Sequence, residues 1–196
     1  NNPSFDRFEG EVGASASSMT DGDTSSEVKA TLNIPVIDDR LAFRLATSYK
    51  DRGGWIDQPD IGKEDINDNQ TSYVRLKALW QASDDLTVNA MVLRSRSESG
   101  SSNVANIRGA DGDTYYRTVI ANDSLLANTD QTDENDIYNI TVNYDLGFAT
   151  LTSSSSHLDI KSYQSSTSFL VGQDSLVNLG GISLGITNES KGFAQE

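Results

Sequence analysis

Apolar and polar residues alternate with a period of two along most of this chain. Leu41, Phe43, Leu45, Thr47 and Tyr49 share one parity, and Ala42, Arg44, Ala46, Ser48 and Lys50 share the other. Successive side chains of a strand leave from opposite faces, so the segment is predicted to be a strand with one apolar and one polar face. In a helix Leu41 and Phe43 would stand about 200° apart. Upstream, Val28, Ala30, Leu32, Ile34 and Val36 alternate with Glu27, Lys29, Thr31 and Asn33, and Ile37-Asp38-Asp39-Arg40 supplies a polar hairpin turn between the two runs.

The pattern recurs. Val74, Leu76, Ala78 and Trp80 lead through Ala82-Ser83-Asp84-Asp85 into Leu86, Val88, Ala90 and Val92. Tyr138, Ile140, Val142 and Tyr144 lead through Asp145-Leu146-Gly147 into Phe148 and beyond, and Phe8, Val12, Ala14 and Ala16 mark a first strand. About seven strands are predicted, over 7–18, 26–36, 41–52, 70–81, 86–98, 136–145 and 147–159.

Connection lengths add a second signal. Short turns at 37–40, 82–85 and 145–147 alternate with connections at 19–25, 53–69 and 99–135, and a Ser/Gly-rich stretch follows 160. Structureless loops beyond about 15 residues are uncommon inside compact soluble domains. Outer-membrane barrels, by contrast, have short periplasmic turns and long extracellular loops. The predicted fold class is therefore all-β: a segment of an antiparallel up-and-down transmembrane β-barrel with long extracellular loops at 53–69, 99–135 and 160–192. Glu9, Glu11, Lys29, Arg44, Lys50, Arg75 and Lys77 fall on one face, which would be a hydrated lumen in a barrel and solvent in a sandwich; alternation alone does not separate the two. Phe8, Tyr49, Trp55, Tyr73, Trp80, Tyr144 and Phe148 near strand ends suit interfacial girdles.

Composition narrows the field. Fifteen basic against 29 acidic residues give a formal charge of −14, which repels a nucleic-acid backbone. The absence of cysteine excludes disulfides, thiolate metal sites and a Cys nucleophile. No apolar run approaches the roughly 18 residues of a membrane-spanning helix, but barrel strands are only half apolar and escape that criterion. Asn1-Asn2-Pro3 carries neither the basic nor the apolar region of a signal peptide, so a mature product, a cytosolic protein or an excised fragment is expected.

In order and spacing, the segments resemble the TonB-dependent receptors, the large gated barrels of Gram-negative outer membranes. Asn2-Pro3-Ser4-Phe5-Asp6-Arg7-Phe8-Glu9-Gly10 is similar to the proline-bearing link and first barrel strand of that family. Ile34-Pro35-Val36-Ile37-Asp38-Asp39-Arg40-Leu41-Ala42-Phe43-Arg44 is similar to its Pro-bearing strand end, acidic turn and following strand. Gly53-Gly54-Trp55-Ile56-Asp57 resembles the strand exit. The stretch from Tyr73 to Val88 resembles the next hairpin, with Ala82 or Ser83 where the family usually has Pro. Ala149 to His157 resembles a later strand, with His157 replacing the usual Tyr, and Ser190-Lys191-Gly192-Phe193-Ala194-Gln195-Glu196 resembles the lead-in to a further one. The resemblance spans nearly the whole chain except 99–135 and 160–189, and no single motif in it is diagnostic. It implies part of a 22-strand barrel without its plug, a location in the outer membrane, and partners in membrane lipid, lipopolysaccharide, the TonB complex and a scarce small-molecule or glycan ligand. Ferric siderophores, haem, cobalamin and glycans are all ligands of the family.

Candidate chemistry is sparse. His157 is the only histidine and reads as a strand-surface residue, so no multi-histidine metal site exists within the chain, and the serines near it lack a nucleophile elbow. Asp111-Gly112-Asp113-Thr114 lacks the ligand alternation and closing Glu of a calcium loop and reads as a polar turn. No enzyme activity and no cofactor are expected. The candidate ligand contacts are Trp55, Asp57, Tyr115, Tyr116 and Arg117, since aromatic faces beside a cation hold sugars and catecholate-like groups. Arg44, Arg75 and Lys77 are the candidate lumen-facing residues. The alternative is a soluble secreted β-sandwich or β-helix module acting as an adhesin or carbohydrate binder, whose apolar faces would meet each other rather than lipid.

Overall fold

A computed structural model describes residues 1–57, 62–100, 130–168 and 182–196. Eight strands follow one another: β1 (Glu9–Ser18), β2 (Thr24–Ile37), β3 (Leu41–Arg52), β4 (Asn69–Gln81), β5 (Leu86–Ser99), β6 (Gln131–Asp145), β7 (Thr150–Ser168) and β8 (Ile182–Gln195). They form one antiparallel sheet in the order β1-β2-β3-β4-β5-β6-β7-β8. Each strand pairs with its sequence neighbours, so the topology is up-and-down throughout. The sheet is open: β1 pairs only with β2, and β8 only with β7.

Among the described residues there are eight strands where about seven were expected. The loop expected at 99–135 yields residues 131–135 to β6, and the one expected at 160–192 yields residues 160–168 to β7 and 182–192 to β8. Alternation fails in the segments added to β6 and β7. Ile160 lies on the face of Arg75, while Lys161 lies opposite it on the face of Leu76. Backbone pairing continues because the ladder satisfies N–H and C=O groups whatever the side chains are.

Local chemistry sets the short turns. The β2–β3 turn is closed by the Arg40 N–H donating to Ile37 O at 3.0 Å, with Asp39 at φ 54°. Asp is among the few non-glycine residues that tolerate that region. At the β6–β7 turn Gly147 takes φ 80° and its N–H donates to Asp145 Oδ1 at 2.7 Å. Pro35 is compatible with β2 because β1 reaches only as far as Asn33 and a register shift follows between Pro35 and Ile37. The three turns joining β2–β3, β4–β5 and β6–β7 lie at one end of the sheet, opposite the connections joining β1–β2 and β3–β4.

Almost nothing is buried in the usual sense. Among the described residues the fully buried apolar side chains are Ala42, at 0% exposure, and Ile56, at 2%. A water-soluble domain of this size would bury a contiguous apolar core. The described residues form a single sheet layer, and no second sheet covers either face.

Candidate functional site

The register assembles the alternating residues into two continuous faces. On one face Leu32, Leu45, Leu76, Val92 and Tyr138 stand side by side across β2 to β6. Ile34, Phe43, Ala78, Ala90 and Ile140 form the next row towards the short turns, followed by Leu41, Trp80, Val88 and Val142, then Leu86 and Tyr144. On β3 this band extends from Leu41 to Tyr49, about 27 Å at ~3.4 Å per residue, and on β5 from Leu86 to Val92, about 20 Å.

Exposure of the two faces is inverted relative to a soluble sheet. Val74 is 46% exposed, Leu76 43% and Trp80 50%, whereas the intervening Tyr73, Arg75, Lys77 and Leu79 are half-buried. The apolar face is the open one, and the polar side chains crowd one another. Tyr73 stands on the polar face, opposite Ser48, so it is removed from the expected aromatic girdle. Trp80, Tyr144 and the bare Phe148 remain on the short-turn side, and Tyr49 lies at the opposite margin.

At the level of Val74 the outward face of β5 to β8 changes character, since Arg94, Asp136, Asp159 and Lys191 share that row. The row holding Arg94 and Asp136 carries a bidentate pair, with Arg94 Nε and Nη2 each 2.7 Å from a carboxylate oxygen. Asp159 and Lys191 meet in the same row at 3.6 Å. In the next row Arg96 Nη1 lies 2.9 Å from Glu134, beside Lys161 and Glu189. Charge thus bounds the apolar band on the side of the long connections. His157 is exposed on the outward face of β7, with its ring 6.2 Å from that of Tyr138.

The polar face collects Arg44, Arg75 and Lys77. Arg44 is paired across the ladder with Lys77, a like-charge contact that would destabilise the sheet by itself. Two partners offset it: Glu9 Oε1 lies 3.6 Å from Arg44 Nη1, and Lys77 Nζ donates to Asn2 Oδ1 at 2.9 Å. Further across the same face, Asn139 Nδ2 donates to Ser154 Oγ and Ser156 Oγ. A cavity of about 240 Å³ opens here between Asn2, Pro3, Lys77, Asn89, Met91 and Thr141.

At the opposite end, Trp55 and Asp57 belong to a folded connection. Asn67 Oδ1 accepts the N–H groups of Trp55 and Ile56 at 2.8 and 2.9 Å, and the Ile66 N–H donates to Ile56 O at 2.8 Å. Gly54 is required because a Cβ there would run into the Asp65 backbone. The Arg52 guanidinium lies 5.4 Å from the Trp55 ring centroid. Asp57 Oδ1 accepts the Asp65 N–H at 3.1 Å, so this carboxylate ties the connection together. Tyr115, Tyr116, Arg117 and the Asp111–Thr114 turn lie outside the described residues.

This end is acidic. Desolvation, then the charges of Asp57, Asp23 and Glu64, push the Asp65 carboxyl above its ordinary range. Asp68 is raised as well, by desolvation and then Asp51, while its own backbone N–H pulls the other way. Among the described residues no three His, Cys, Asp or Glu side chains gather closely enough to hold a metal ion.

Asn33 and Asn67 organise both ends, and the sequence reading passed over them. Asn67 is legible afterwards as an Asx residue in a turn, whereas Asn33 is only one of several polar residues in β2. No family model matches the chain, and neither the curated proteins nor the solved structures compared with it include a match.

Proposed function

We propose that this chain is a section of the wall of an outer-membrane β-barrel of the TonB-dependent receptor kind. The observation that carries the reading is the inversion of exposure. A bare apolar face on a single up-and-down sheet, with crowded polar residues behind it, is suited to lipid outside and water inside. A band about 20–27 Å along strands tilted by roughly 40° stands ~15–20 Å tall, somewhat under the ~25 Å apolar height of such barrels. The charged rows that start on β5 to β8 at the level of Val74 fall where headgroups and lipopolysaccharide begin, and the short turns take the periplasmic side.

In this reading Arg44, Arg75 and Lys77 face the lumen, and the open edges of β1 and β8 pair with the remaining wall. The Trp55–Asp57 connection lies at the outer mouth. The complete receptor binds a scarce ligand there, a ferric siderophore, haem, cobalamin or a glycan, and admits it when the TonB complex pulls on the plug. The role of these residues is structural and recognitive, with no bond-making step and no cofactor.

The test is fractionation of the full-length protein in its own cell, followed by detergent extraction and electrophoresis with and without boiling. Outer-membrane recovery with heat-shifted migration is expected. Recovery as a soluble secreted protein would overturn the reading in favour of a β-sandwich or β-helix adhesin, and glycan binding at Trp55 would be measured next.

A further inference from the structure

We propose that residues 2–7 form a strap clamped to the polar face by Asn33, and that this clamp is the stop at which a pull on the N-terminal side of the chain ends. Asn33 is 1% exposed, and its side-chain amide is fully used. Oδ1 accepts the Ser4 N–H at 2.8 Å, while Nδ2 donates to Ser4 O at 2.9 Å and to Arg7 O at 2.8 Å. The amide engages Ser4 through both its N–H and its C=O, as the peptide group of a neighbouring strand would. Pro3 beside it is buried.

The position of the clamp in the ladder gives it a mechanical meaning. β1 begins at Glu9, directly after the strap, so it is the first strand that a load from the N-terminal side would reach. Asn33 belongs to β2, which is paired on both sides, its register partners being Glu9 of β1 and Arg44 of β3. A load arriving from the N-terminal side meets the exposed contact from Lys77 to Asn2 first, where water competes readily. It then meets Asn33, which passes the load into β2 and β3 before β1 carries any. The use of this stop against the pull of TonB rests on the receptor reading; the clamp itself does not.

The experiment compares the full-length protein with its Asn33→Ala variant in lipid bilayers, by hydrogen exchange at the Ser4 amide and by force spectroscopy through the N-terminus. The Ser4 amide is expected to be protected, and to lose roughly 100-fold of that protection in Asn33→Ala, about the worth of three linked hydrogen bonds. The rupture that frees β1 is expected at lower force in the variant, with Lys77→Met leaving it unchanged. Should Asn33→Ala not give heat-shifted migration, Asn33→Asp keeps the acceptor for Ser4 and removes both donors, so the rupture force is expected to fall with a smaller loss of protection at the Ser4 amide. An unprotected Ser4 amide in the unaltered protein, or an unchanged rupture force once Ser4 is released, would overturn the clamp. A full-length protein that proves soluble overturns the receptor reading alone, and Ser4 exchange then decides the clamp.

Discussion

On β4 to β6, in the half nearest the short turns, outward positions read Leu76, Val92 and Tyr138; two rows further along the same ladder they read Ser72, Arg96 and Glu134, continued on β7 and β8 by Lys161 and Glu189. The hydrogen-bonded backbone is the same in both halves. What differs is the surroundings each side chain has to satisfy. In the first half one face is apolar and the other polar, so residue type must alternate. In the second half both faces are polar, alternation has no physical cause, and ion pairs such as Arg94 with Asp136 take its place. Backbone pairing therefore reports the fold over the whole length of a strand, whereas side-chain alternation reports a change of solvent across it.

The sharpest way to break this comparison is to put the same charge into each half. Leu76→Arg, in the middle of the apolar band, is expected to destabilise the protein by about 2–4 kcal/mol in bilayers, and Ser72→Arg, on the same strand and face, by about 0–1 kcal/mol. Denaturant unfolding in lipid vesicles measures both. Equal costs would mean that the band meets no hydrocarbon.

A smaller, local effect is expected at the long-connection end. Asn67→Ala removes the acceptor of two backbone N–H groups, those of Trp55 and Ile56, and should loosen the connection by about 2 kcal/mol. The amides of Trp55 and Ile56 should exchange faster while those of β3 and β4 hold. Loss of protection throughout the sheet would instead make this connection part of the fold's foundation.

The smallest effect is the pH response of the same connection. The Asp65 carboxyl titrates above its ordinary value in the folded chain, so the folded form binds the proton more readily than the unfolded one. Its contribution is therefore unfavourable at neutral pH and is relieved as pH falls through the raised value towards the ordinary carboxylate range. Asp65→Asn should tighten the connection at neutral pH and flatten that dependence, and Asn also tolerates the φ of 55° found there. Exchange at Ile56 between about pH 4 and 7 reads it out; steeper pH dependence in the variant would refute the assignment.

Much of the fold was legible because period two is a strong signal wherever one face of a strand differs from the other. The runs from Val28 to Tyr49, Val74 to Val92 and Tyr138 to Tyr144 were all placed on strands with the right face assigned. Segments 131–135 and 160–168 were not, because polar residues on both faces look the same in a strand and in a loop, whereas 182–195 does alternate at Ile182, Leu184 and Ile186 and was legible. Arg44 and Lys77 were correctly put on one face with Arg75, but that Arg44 and Lys77 are opposed across the ladder depends on register, which parity does not supply. Tyr73 was named for an aromatic girdle by its residue type and proximity to a strand end, although its parity puts it with Arg75.

The sequence by itself determined the strands of the alternating half, the polar turns between them, and the grouping of side chains into an apolar and a polar face, since each depends on residues at most a few positions apart. Only the tertiary structure decided which face is open, that the strands form one layer with two unpaired edges, and that Asn33 and Asn67 tie distant segments to the sheet. These properties depend on pairing between residues from about ten to more than forty positions apart, which no local pattern contains.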